Sequence, residues 1–257
     1  MEEERFQAAL ARALLRKEGK GQIGMLGEKT LHSALKYYYE PDETKHEREL
    51  AGFLADILNG DGVTEIQTRN LFSMKRKLRA FSGLVPVTVV HPVIRTRGLI
   101  YLDPQTGELS KRRVSPRHGK TEDAFSELVH IREELALPRL RFMILLVDAD
   151  EYRIKDGLET RRGKKPLKFE LVPRGIAGEY ALENNGDYLR LLPEGLERSA
   201  FTVRELAECA RLPERTASAM CAVMLARGAL ERKKEGKRFV YRVKYEDIAY
   251  PDEGDGR

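Results

Sequence analysis

Asp56, Glu65 and Gln67 are the side chains best suited to chemistry in this 257-residue sequence. Residues two apart on a strand point to the same face, so an extended Gly62–Thr68 projects Glu65 and Gln67 together. Asn59-Gly60-Asp61-Gly62 is a strong turn signal, and a hairpin there folds Asp56 back towards them. Two carboxylates and an amide on a sheet edge can hold a hard divalent cation through oxygen, with the backbone carbonyl of Ile66 as a further donor. Plainer readings stand beside this one. Asp56 can be a turn residue only, and Glu65 a solvent-facing strand residue paired with a lysine.

Other candidates are weaker. His32 lies one helical turn after Glu28 and shares its face; it is equally a reacher towards the site or a hydrogen-bonded structural histidine. Lys29, Lys36 and Arg69 flank the site as substrate contacts or as ordinary surface charges. His46-Glu47 is not part of an H-E-x-x-H zinc motif, because residue 50 is Leu. Asp148, Asp150 and Glu151 read as a strand-end turn. The sequence holds no P-loop, no G-x-G-x-x-G and no G-x-S-x-G, so P-loop nucleotide hydrolysis, dinucleotide binding and α/β-hydrolase chemistry have no support.

The elements that must position these residues follow from periodicity. Helices are expected over 3–17 and 26–39, the second stopped by Pro41. Residues 48–58 and 62–68 form a hairpin. A helix over 70–81 directs Leu71, Met74 and Leu78 inward. Residues 84–92 make a strand buried on both faces. Residues 94–102 and 108–114 form another hairpin, 121–135 a helix, and 140–147 a second buried strand. A solvated basic loop covers 153–168; 175–198 has no clear assignment apart from a turn at Asn184–Asp187. Further on, Thr202 and Glu205 form a capping box. A helix from 214 to 227 closes at Gly228, and β-like runs at 229–233 and 238–243 turn at Glu235-Gly236.

Charge is distributed unevenly. The chain has 46 Lys+Arg against 41 Asp+Glu, a net charge of +5. Residues 201–245 hold eleven Lys+Arg against five Asp+Glu, whereas residues 246–257 hold one against five. The positive excess points to an anionic partner for the C-terminal region. No uncharged apolar run is long enough to span a membrane, and acidic Met1–Arg5 lacks a signal-peptide core. Cys209 and Cys221 cannot make a disulfide framework. They read as small core residues in a chain expected in the reducing cytoplasm.

Helix, short turn, helix and basic hairpin over about 199–246 resemble the winged helix-turn-helix family. The resemblance implies that Arg215, Thr216 and Ser218 face DNA, and that Arg232, Lys233, Lys234, Lys237 and Arg238 contact phosphates. The plainer use of such a fold is protein contact or dimerisation.

Upstream, Gly27-Glu28-Lys29-Thr30 on a helix, Ala55-Asp56-Ile57, and Glu65-Ile66-Gln67-Thr68 resemble the PD-(D/E)XK nuclease superfamily, whose core has the order αβββαβ. Ala55 stands where that motif has Pro, and Gln67 where it has Lys; some branches carry Gln there. A Lys can stabilise charge as the bond breaks, whereas a Gln can only orient water. The resemblance implies an α/β, restriction-endonuclease-like domain over 21–175, preceded by a helix over 1–20. A connecting segment over 176–198 leads to the α+β winged-helix domain, and an acidic tail spans 247–257. It implies Mg²⁺ or Mn²⁺ on Asp56, Glu65 and Ile66, with Gln67 positioning water and Glu28 completing the site. The expected reaction is metal-assisted hydrolysis of DNA phosphodiester bonds, for which a homodimer would suit cutting both strands. The alternative is a non-catalytic DNA-binding regulator on a degenerate nuclease fold.

Overall fold

The computed structural model describes residues 2–18, 29–154 and 167–244. The chain is α/β and is organised by one large mixed sheet. Strands β1 (His46–Leu50), β2 (Phe53–Asn59) and β3 (Gly62–Ile66) form an antiparallel meander. Helix α3 (Lys75–Ser82) then crosses over to β4 (Val87–Leu102), which lies parallel to β3. Strand β6 (Leu140–Ile154) is parallel to β4, and β7 (Leu167–Leu182) closes the far edge antiparallel to β6. A short β5 (Arg113–Val114) pairs β4 off this path.

Strand alternation sorts side chains to two faces. Val63, Val87, Val89, Phe142 and Ile144 face a core completed by Leu78 and Phe81 of α3 and by Phe125 and Leu128 of α4 (Phe125–Leu128). Ile66, Val90, Leu145 and Val147 face the opposite way, against Leu31 and Leu35 of α2 (Lys29–Tyr39). Helix α1 (Glu2–Glu18) lies outside α2, burying Phe6, Ala9 and Ala13 against Ala34, Tyr37 and Tyr38. Helices on both faces explain the near-continuous apolar runs of β4 and β6.

Several sequence expectations need correction. The run 48–58 is two strands, broken at Ala51-Gly52, where both residues adopt positive φ. The runs 84–92 and 94–102 are one strand, with a register shift between Ile94 and Thr96. Pro92 is tolerated within it. Like Val90, whose carbonyl accepts the Gln67 N–H, its backbone faces the β3 side, and β3 has already ended there. The helix expected over 121–135 is a succession of short turns around α4. The boundary expected at 175/176 falls inside β7. Asp148, Asp150 and Glu151 lie within β6, not in a turn, and are paired with arginines. Of the loop expected over 153–168, residues 155–166 lie outside the described residues.

Gly62 holds the β2–β3 turn against the β3–β4 crossover. Its φ is +112°, and a Cβ there would lie 2.2 Å from the Pro86 carbonyl oxygen. Gly62→Ala is therefore expected to destabilise the fold by about 1–3 kcal/mol or more, read as a lower urea midpoint.

The C-terminal module begins after a short α5 (Asn185–Leu189), capped by Asn184. Its α6 (Val203–Ala210) carries the expected capping box between Thr202 and Glu205. Helix α7 (Glu214–Ala226) follows, then the hairpin β8 (Leu230–Glu235) and β9 (Arg238–Val243). Phe201 bridges Tyr241 as a third, minimal strand. The module shares the α3-side core through Phe201, Leu206, Met220 and Cys221, and Arg227 donates a hydrogen bond to the Leu135 carbonyl. It is therefore packed on the sheet domain rather than tethered to it.

Candidate functional site

The site lies where β2 and β3 part. Their ladder runs Asn59↔Gly62, Leu58↔Val63 and Ile57↔Thr64, and Asp56 and Glu65 come next on the two strands. Here side chains replace the backbone ladder. The Asp56 N–H donates to Glu65 Oε1 at 3.1 Å, and the Ile66 N–H donates to Asp56 Oδ2 at 2.9 Å. Each carboxylate satisfies a backbone donor on the opposite strand, which a buried splay requires.

Two flanking helices supply the remaining partners. His32 on α2 places Nε2 3.3 Å from Asp56 Oδ1. Lys77 on α3 places Nζ 2.6 Å from Glu65 Oε2. The Glu65 side chain is only 3% exposed. Burial first, and the charge of Asp56 second, push its carboxyl up to about 7, although Lys77 pulls the other way. Burial also raises Asp56, but His32, the Ile66 amide and Lys77 outweigh it and hold this carboxyl below its usual value. Two neighbouring carboxyls thus differ in proton affinity, an arrangement that separates a permanent anion from a group able to exchange protons near neutral pH.

The structure brings together Asp56, Glu65 and the Ile66 backbone, but through the Ile66 N–H. It does not join the Gln67 side chain to them. Gln67 Nε2 donates instead to the Arg69 carbonyl at 2.6 Å, while its own carbonyl lies 2.7 Å from His91 Nδ1. Burial lowers the His91 pKa, which favours the neutral ring. Glu28 lies outside the described residues. Lys36 is buried and paired with Glu47 rather than with Asp56 or Glu65.

Lys77 is the residue the sequence reading missed. A signal existed. Lys77 lies three residues after buried Met74 and four before buried Phe81, on the apolar stripe of α3 rather than its wet face. A lysine on such a stripe needs a buried anion, and Glu65 provides one.

Among the described residues no group of three or more His, Cys, Asp or Glu side chains forms a metal cluster. The donor chemistry at Asp56 and Glu65 nevertheless fits a hard cation. The charge of Asp56 raises the Glu65 pKa, and a divalent ion between them would relieve that repulsion.

In the C-terminal module, Arg215 and Ser218 are exposed on α7, but Thr216 is buried at 2% exposure. Thr216 is thus a core residue, not a DNA-facing one, because it shares the inward face of α7 with Met220 and Val223. Arg232, Lys233, Lys234, Lys237 and Arg238 are all exposed along the hairpin. Cys209 is exposed, contrary to expectation, and Cys221 is buried.

The fold and the site define an α/β domain with a buried two-carboxylate, one-lysine constellation at a strand junction. The chain belongs to the family described as a domain of unknown function (DUF8091), whose model matches residues 29–183. This span runs from α2 through β7, so the candidate site lies inside the family domain and the C-terminal module outside it. The chain is also 30% identical over 177 residues to an "Uncharacterized protein" of Treponema pallidum (strain Nichols), covering 67% of this chain and 70% of the relative. No solved structure matches the chain. No helix among the described residues is long and apolar enough to cross a membrane.

Proposed function

We propose that this protein is a metal-dependent nuclease acting on DNA, with a PD-(D/E)XK-like core and a winged helix that delivers it to the duplex. One observation carries the reading: Asp56, Glu65 and Lys77 converge where two strands part. The order α2-β1-β2-β3-α3-β4 agrees with the core that the motifs resemble. Lys77 supplies the cation that Gln67 cannot.

Asp56 and Glu65 would hold Mg²⁺ or Mn²⁺. That ion would polarise a phosphoryl oxygen and acidify a coordinated water. Asp56 stays ionised and anchors the site. Lys77 Nζ is ion-paired to Glu65 Oε2, and its ammonium would offset charge that builds on a phosphate beside it as the bond breaks. The exposed Arg232, Lys233, Lys234, Lys237 and Arg238 give the wing a phosphate-binding edge, so DNA affinity falls steeply with salt.

A second reading has its own support. Glu65 is already neutralised by Lys77, and among the described residues no group of three or more His, Cys, Asp or Glu side chains is placed to hold a metal ion. That arrangement suits a DNA-binding regulator without catalysis. Cleavage of supercoiled plasmid with Mg²⁺ or Mn²⁺ separates the two. Asp56→Ala and Glu65→Ala are each expected to lower the rate about 10²- to 10⁴-fold, with folding checked by circular dichroism. Tight duplex binding without cleavage by folded wild type selects the regulator.

A further inference from the structure

Residues 111–120 form an unbroken basic segment. It contains Lys111, Arg112, Arg113, Arg117 and Lys120, with His118 and no acidic residue. All of these side chains are exposed. Among the described residues Lys111, Arg113 and Arg117 have no ion-pair partner, so their charge is available.

The segment is held in place at both ends. Near one end Arg112 Nε reaches Asp150 Oδ1 at 2.7 Å. The pair passes directly over Gly98, where a Cβ would lie 2.1 Å from Asp150 Oδ1 and 2.5 Å from Arg112 Nε. Arg112 is turned onto the sheet, while Lys111 and Arg113 on either side of it are exposed. Near the other end the Gly119 N–H donates to the Arg95 carbonyl at 3.0 Å. A Cβ on Gly119 would lie 2.3 Å from the Ile94 carbonyl oxygen. Side-chain volume is therefore absent at two of the points where the segment meets β4. The Ser115 N–H also donates to the Arg97 carbonyl at 2.8 Å. This is a preorganised strip of cations rather than a free loop, and preorganisation lowers the entropic cost of binding.

Its position relates it to both functional parts. Lys120 Nζ donates to the Ala210 carbonyl at 3.1 Å. Ala210 is the last residue of α6, so the strip ends at the helix-turn-helix turn, next to exposed Arg211 and Arg215. Along the sheet, Glu65 is in register with Val89 on β4, while the strip docks on β4 from Arg95 to Leu99. Six to ten strand residues separate them, about 20–30 Å. That is within one turn of a DNA duplex, about 34 Å.

We infer that residues 111–120 are a second nucleic-acid contact surface, in which Lys111, Arg113 and Arg117 bind the phosphate backbone of the duplex held by the winged helix. This rests on the proposed DNA-binding reading and extends it from the wing to the sheet domain. It makes the module and the sheet domain one continuous footprint that carries the duplex towards Asp56 and Glu65.

The test is binding of the full chain to a labelled duplex about three helical turns long, by fluorescence anisotropy in EDTA so that cleavage does not enter. The triple variant Lys111→Ala/Arg113→Ala/Arg117→Ala is compared with wild type and with Lys233→Ala/Lys234→Ala. At about 0.1 M salt the triple variant is expected to lose roughly 10- to 100-fold in affinity, and its log K against log salt slope to become shallower by about 2–3. Unchanged affinity and slope in the triple variant, with weakened binding in the wing variant, would overturn the inference and leave the DNA-binding reading intact. No duplex binding by wild type at low salt would overturn both. Amine-reactive labelling of wild type gives an independent readout. Duplex is expected to protect Lys111 as it protects Lys233, and an unprotected Lys111 beside a protected Lys233 counts against the strip.

Discussion

Lys77→Met is expected to reduce metal-dependent cleavage by about 10²- to 10⁴-fold, with the loss in kcat and little change in duplex affinity. The lysine belongs to α3, not to the wing or the basic strip, so it has no part in the bulk of phosphate binding. Its Nζ lies 2.6 Å from Glu65 Oε2, where it acts on the carboxylate pair and on charge developing beside it. Removing a partner from a buried charge usually destabilises a fold. Here the cost is limited, because Glu65 already titrates at about 7 and can become neutral instead. The double variant Lys77→Met/Gln67→Lys distinguishes a catalytic role from a structural one. It moves the ammonium from α3 to the strand position where the resembled motif carries it. Partial recovery of kcat in the double variant supports a charge requirement. Full activity in the single variant would make Lys77 a structural counter-ion only.

The position of that lysine also shows what can be read from sequence. Asp56 and Glu65 were legible because the Asn59–Gly62 turn fixes which residues face each other across two strands. The helix–strand order around them was legible because apolar periodicity changes sharply between elements. Lys77 was legible only in part: its spacing from Met74 and Phe81 puts it on the apolar stripe, but a Lys75-Arg76-Lys77 run reads as solvated until the tertiary fold shows which side of α3 faces β3. Gln67 failed for a related reason. Its side-chain amide finds the Arg69 carbonyl two residues on, a local competitor that strand parity ignores. Apart from Arg153, two residues from Glu151, the pairing partners of Asp148, Asp150 and Glu151 come from β4, β7 and Arg112, which are distant in sequence. The sequence therefore shows these acids without most of their arginines. Thr216 was misread because residues one apart on a helix take different faces, and the boundary between the faces of α7 depends on the sheet domain beneath it.

Glu65→Gln is expected to remove a pH-dependent weakness of the metal-free fold. In the unfolded chain Glu65 titrates near 4.5, whereas in the folded protein it titrates at about 7. Between these values the folded state binds more protons than the unfolded state, so this group's contribution to stability falls as pH rises. The loss is complete above pH 7 and amounts to at most about 3 kcal/mol. Buried His91 acts oppositely in an overlapping range. Burial lowers its pKa from 6.5, so stability is lost as pH falls below that value. Wild type alone therefore gives a mixed profile, and the difference between Glu65→Gln and wild type isolates Glu65. In EDTA, urea midpoints of the two proteins should diverge between pH 5 and pH 8, with the variant gaining on wild type. Asp56 does not obscure this, because its pKa is lowered from 3.8 and its stabilising effect is lost only below that range. A cation that binds only the folded site stabilises it by mass action. Added Mg²⁺ should therefore raise the wild-type midpoint more at pH 8 than at pH 5, and raise that of Glu65→Gln less. A site that trades stability for charge in this way is expected where two carboxylates are kept together for a ligand. Parallel profiles for the two proteins would show that Glu65 is simply a counter-ion for Lys77, and would remove the principal physical argument for a cation between β2 and β3.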